Sequence, residues 1–98
     1  MENIDIFYGI WNRKYPELAG RISHSISREC NMNGLVTTEL IFESLDDNGE
    51  DGIYEKMSYL TKIIFGNERT AAYTFDQQGF YKHQFIINLS YQIKMLPL

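Results

Sequence analysis

The chain has 98 residues, a net charge of −4, and an aromatic share raised by seven Tyr, six Phe and one Trp. That length suits a single domain, residues 1–98, able to bury about two-thirds of its unfolded surface without staples. The acidic balance argues against nucleic acid or anionic membrane as direct partners and favours a basic protein partner.

The single cysteine, Cys30, excludes an internal disulfide and a thiolate metal cluster. Met1-Glu2-Asn3-Ile4-Asp5 is acidic where a secretory signal carries positive charge and then an apolar run. No apolar run approaches the ~20 residues of a membrane span. A cytoplasmic protein is expected, made by a cell or by something that infects one.

Asn3 can cap a first helix whose Ile6, Phe7, Ile10 and Trp11 fall on one stripe, with Arg13 and Lys14 at its negative end. Pro16 holds Tyr15 extended and sets a boundary there. From Pro16 to Cys30 two patterns compete. Leu18, Ile22 and Ile26 suit a helix opened by proline. Ile22-Ser23-His24-Ser25-Ile26-Ser27 instead alternates with period two and runs into Asn33-Gly34, the strongest short hairpin signal.

With Asn33-Gly34 as a two-residue type I′ loop, Ile22 faces Leu45, His24 faces Glu43, Ile26 faces Ile41 and Arg28 faces Glu39. Apolar meets apolar and cation meets acid at every pair, which favours the strand. In the second strand Val36, Leu40 and Phe42 lie on one face and Ile41 and Leu45 on the other. Such a strand is expected to be central in its sheet or covered on both sides, and its serine-lined partner nearer an edge.

An acidic, glycine-containing loop follows, Asp46-Asp47-Asn48-Gly49-Glu50-Asp51-Gly52. Then Ile53, Met57, Leu60 and Ile64 mark the clearest amphipathic helix of the chain, ended by Gly66. A second hairpin, Thr70–Phe75 with Phe80 onward, fits a three-residue loop with Gly79 left-handed. That loop pairs Phe75 with Tyr81, Tyr73 with His83 and Ala71 with Phe85. The strand breaks near Asn88-Leu89-Ser90, and Tyr91, Ile93 and Met95 alternate as a short last strand. The expected fold is α+β: a mainly antiparallel sheet of about four to five strands with two helices, in the order α-ββ-α-ββ(β).

Few stretches carry chemistry. Gly49 placed as the glycine of an EF-hand loop puts Ser44, Asp46, Asn48 and Glu55 at ligand positions. Serine stands where aspartate is needed, and a strand precedes the loop rather than a helix. No metal or cofactor is expected. These acids serve equally as favourable charge before a helix N-terminus or as a patch shown to a basic partner.

His24 facing Glu43 has the form of a base held by a carboxylate, yet no nucleophile motif surrounds it. His83 is expected half-buried and hydrogen-bonded to a tyrosine. Gly79-Phe80-Tyr81-Lys82-His83-Gln84-Phe85 shares with the aromatic strand of RNA-recognition motifs only its glycine and its first and last aromatics. An aromatic core strand is the better reading. Phosphate-binding loops, the dinucleotide glycine pattern, HExxH and GxSxG are all absent from the sequence.

An abundance of Tyr on an acidic domain without catalytic motifs points to a binding protein and not an enzyme. The first expectation is an inhibitor: an immunity protein, an antitoxin or a viral anti-defence protein. Asp46, Asp47, Glu50 and Asp51 would stand in for phosphates, with Tyr54 as an anchor. The alternative is a structural module that self-associates, as a homodimer for instance, through strand edges at Arg21–Cys30 or Tyr91–Leu96.

Overall fold

The computed structural model describes residues 3–45 and 51–93. Two helices, Asn3–Lys14 (α1) and Ile53–Phe65 (α2), form where apolar residues recur at helical spacing. Phe7 and Trp11 are the buried residues of α1, and Ile53, Met57, Leu60, Thr61 and Phe65 those of α2. Gly66 ends α2 with φ 103°, and its N–H donates to the Lys62 carbonyl.

After α1 the chain makes a 3-10 turn, Pro16–Leu18, tied back by the Trp11 indole N–H donating to the Leu18 carbonyl. The helical alternative for Pro16–Cys30 ends with that turn. Ile22–Cys30 is a strand (β1), paired antiparallel with Leu35–Ser44 (β2). Thr70–Gln77 (β3) and Phe80–Asn88 (β4) form the second hairpin. The order is β1-β2-β4-β3, so β2 is central and β1 an edge, as their side chains suggested.

Where β4 stops, Tyr91–Gln92 (β5) takes over the pairing with β2 opposite Leu35 and Val36. The break falls at Asn88-Leu89-Ser90, where the Asn88 side-chain oxygen accepts the Ser90 N–H. The α-ββ-α-ββ(β) order and the α+β class are as expected.

Both helices pack on one face of the sheet. Val36, Thr38, Leu40, Phe42 and Ser44 alternate inward along β2 and meet His83, Phe85 and Ile87 from β4. Phe42 is fully buried, its ring stacked 4.1 Å from that of Phe7. Ser44 is buried too, and its hydroxyl oxygen accepts the His83 backbone N–H. That bond satisfies a donor at the point where β2 runs out.

Both hairpin registers differ from expectation by one residue. In the first, Ile22 pairs with Ser44, His24 with Phe42, Ile26 with Leu40 and Arg28 with Thr38. The loop has three residues, Met32-Asn33-Gly34, and only Gly34 is left-handed, at φ 79°. Asn31 is the cause. Its side-chain oxygen accepts N–H bonds from Asn33 and Leu35, so the turn is wound from Asn31 and not centred on Asn33-Gly34.

In the second hairpin the loop has two residues, Gln78 at φ 55° and Gly79 at φ 89°, the signs of a type I′ turn. Phe75 therefore pairs with Lys82, Tyr73 with Gln84 and Ala72 with Phe85. Gln78 accepts a backbone region uncommon for its type, and the register this turn sets places Thr74 and Ala72, in place of Tyr73 and Ala71, opposite His83 and Phe85. The Asp76 carboxylate steadies the turn by accepting the Gly79 N–H.

Candidate functional site

A one-residue slip sends every side chain of a strand to the opposite face. The two corrections therefore decide where each candidate residue lies. On the face away from the helices β3 presents Tyr73 and Phe75, β4 presents Phe80, Lys82, Gln84 and Ile86, and β2 presents Glu39, Ile41 and Glu43. None of the described helices packs there. Tyr73, Phe75 and Phe80 are 51%, 48% and 67% exposed, and Leu45, just past β2, is 61% exposed.

Three of these residues, Leu45, Phe75 and Phe80, line a hollow of about 490 Å³ together with Glu43, Lys82 and Gln84. The hollow exists because the β3–β4 hairpin continues past the end of β2, leaving Phe80 and Lys82 paired with β3 alone. Glu43 holds its polar side. The carboxylate pairs with the Lys82 ammonium at 3.2 Å and accepts a hydrogen bond from the Gln84 amide. Across the described strands this face carries Glu29, Glu39 and Glu43 against the single ammonium of Lys82. It is an apolar surface with an acidic margin.

The sequence-derived residues fall as follows. Asp46, Asp47 and Glu50 lie outside the described residues. The Asp51 carboxylate pairs with Arg21 at 3.4 Å, and its backbone carbonyl accepts the Lys56 ammonium. Tyr54 is half-buried, with its ring centre 5.2 Å from those of both His83 and Phe85, on the helix-bearing side. A hollow of about 320 Å³ opens beside it, lined also by Glu55, Thr74 and Tyr81. Ser44, placed first among the EF-hand positions, is buried and already bonded to the His83 backbone.

His24 does not meet Glu43. It faces Phe42 on the helix side, its Nδ1 2.8 Å from the Tyr8 hydroxyl, while Glu43 points the other way. His83 shares the helix side, on the far side of β2 from His24. Its Nδ1 lies 2.9 Å from the Thr74 hydroxyl, where a tyrosine was expected. The register slip is the reason, since it brings Thr74 and not Tyr73 opposite His83.

Burial raises the Tyr8 phenol above its ordinary value near 10. The folded state therefore keeps a proton that the unfolded state releases. The stability tied to it is whole below about pH 10 and is lost as pH rises through the folded value. In alkaline unfolding curves Tyr8→Phe should fall less steeply above about pH 10 than the parent chain. Parallel curves would refute this.

The exposed aromatic cluster escaped the sequence reading, which turned Tyr73 and Phe75 inward toward His83. The signal that could have found it is Gln78-Gly79 read as the two-residue loop. No described helix is long and apolar enough to cross a membrane. Among the described residues no group of three or more His, Cys, Asp or Glu is placed to hold a metal ion. No protein-family model matches the chain, and neither does a curated protein or a solved structure.

Proposed function

We propose that the chain is an inhibitor that binds a basic, nucleic-acid-handling protein and occludes its working surface. That is the task of an immunity protein, an antitoxin or a viral anti-defence protein. The reading is carried by the uncovered sheet face, where Leu45, Tyr73, Phe75 and Phe80 stand exposed beside acidic side chains. Aromatic rings in such a patch supply area at small entropic cost, and acids around them speed encounter with a cationic surface.

Leu45 lies at the rim of the hollow and is followed in the chain by the acidic stretch. Asp46, Asp47, Glu50 and Asp51 occupy the cationic groups that would otherwise hold phosphates. Occlusion requires no bond to be made or broken by this chain.

The test is capture of the partner from native lysate by the tagged protein, followed by assay of the captured protein's activity. The expected partner is released by salt, fails to bind Asp46/Asp47/Glu50/Asp51→Asn/Gln, and is inhibited by the purified chain. A partner held equally at low and high salt and by the neutralised variant overturns the reading, as does one whose activity is untouched.

A further inference from the structure

β1 is a nine-residue edge strand with neither proline nor bulge, and every residue after Ser23 is exposed. At its two ends the Asn31 N–H donates to the Leu35 carbonyl and the Leu45 N–H to the Arg21 carbonyl. Odd-numbered residues of β1 are thus the ones bonded to β2. By antiparallel alternation Ile22, His24, Ile26, Arg28 and Cys30 turn their backbone N–H and C=O groups outward. Edges of this length and openness are ordinarily blunted by charge, proline or a bulge.

The edge is complementary to itself. With two copies antiparallel and Ile26 opposite Ile26, all nine residues overlap. Ser25 then faces Ser27, Ser23 faces Glu29, His24 faces Arg28 and Ile22 faces Cys30. Apolar residues meet apolar ones and hydrogen-bonding groups meet hydrogen-bonding groups throughout. Outward-pointing backbone groups also face one another, giving two hydrogen bonds at each such pair. Shifting one copy by two residues sets Ile26 against Arg28 or His24 and loses this match.

Charge permits the contact. β1 carries one anion, Glu29, and one cation, Arg28, which is steadied by donating from Nε to the Thr38 hydroxyl. Of the acidic stretch, the described Asp51 carboxylate is paired with Arg21 just ahead of β1. Ile26, 54% exposed, lines a hollow of about 360 Å³ with Ile4, Leu40, Phe65 and Leu89, and the pairing would cover its rim.

We propose that β1 joins β1 of a second copy about a two-fold axis through Ile26, making one continuous sheet with both helix layers on the same side. The edge used is the one remote from Tyr73 and Phe75, so each copy of the dimer keeps its aromatic face free.

Sedimentation across a concentration series should find a species of twice the 11.5 kDa chain mass. Ile26→Pro removes an outward N–H and no bond to β2. It should weaken the dimer about tenfold or more while leaving circular dichroism unchanged. In a Cys30→Ser background, Ile26→Cys should oxidise to an interchain disulfide, because facing Cα atoms stand about 5.5 Å apart. Ser23→Cys in that background should not. A chain that stays monomeric at its solubility limit overturns the proposal. So does a dimer in which Ile26→Cys fails to cross-link, and that arm decides even if Ile26→Pro does not fold.

Discussion

Phe42→Ala is expected to lower the free energy of unfolding by about 3–5 kcal/mol, the largest loss from any single truncation in this chain. The ring is fully buried, stacked on Phe7 at 4.1 Å, and touched by Tyr8, His24 and Phe65 within about 6.0 Å. It lies on the central strand, β2, where both helices and three strands converge. No exposed side chain can collapse into the gap it leaves, so the cavity cost adds to the transfer cost. Against a total of about 5–15 kcal/mol for a domain, the variant would be near the edge of folding. Urea unfolding followed by circular dichroism measures the loss, with Phe42→Leu as a milder member of the series. A loss below about 1 kcal/mol would mean that the helix layer is not packed on β2 as described.

The parts of this core that were legible in the sequence are those set by short-range periodicity. Phe7 with Trp11, and Ile53 with Met57 and Leu60, are buried at the helical spacings that announced them. Val36, Leu40 and Phe42 alternate inward along β2 just as their period-two pattern requires. Gly66 ends α2 for the conformational reason glycine is used there. The serines of β1 marked an edge, because a strand with only one neighbour need not be apolar on both faces.

What was not legible is the facing of the two hairpins, which rests on a single residue in each. Asn33-Gly34 is a strong type I′ signal, but Asn31 captures two backbone N–H groups first and lengthens the loop by one. Gln78 is a poor left-handed residue by type, yet it is left-handed here at a local cost of about 1–2 kcal/mol, in the register that sets Thr74 on the helix side, 2.9 Å from His83 Nδ1, and keeps Tyr73 and Phe75 out of the core. Local preference lost to a tertiary demand in the second hairpin, and to a competing side-chain bond in the first. The functional reading suffered more than the fold. The same strands survive a slip of one, but His24 parts from Glu43, and Tyr73 and Phe75 pass from the core to the open face.

On the proposed reading, that open face makes the second large prediction. Phe75→Ala with Phe80→Ala should weaken binding of the captured basic partner by about 10²–10³-fold. Each ring acts as an aromatic anchor worth about 2 kcal/mol, and two neighbours sharing one hollow need not add fully. Stability should change by under about 0.5 kcal/mol per site, since both rings are about half exposed or more and neither joins the buried core. The salt dependence of the remaining binding should be unaltered, because every carboxylate is still present. Neutralising the acids should instead flatten that dependence while leaving the rings in place. Tyr59→Ala with Ile63→Ala is the matched control: these residues are 57% and 60% exposed on α2, away from the open sheet face. Titration calorimetry with the purified partner separates the outcomes. If the α2 pair weakens binding and the hairpin pair does not, the contact lies on the helix layer, and the uncovered sheet face must have another use.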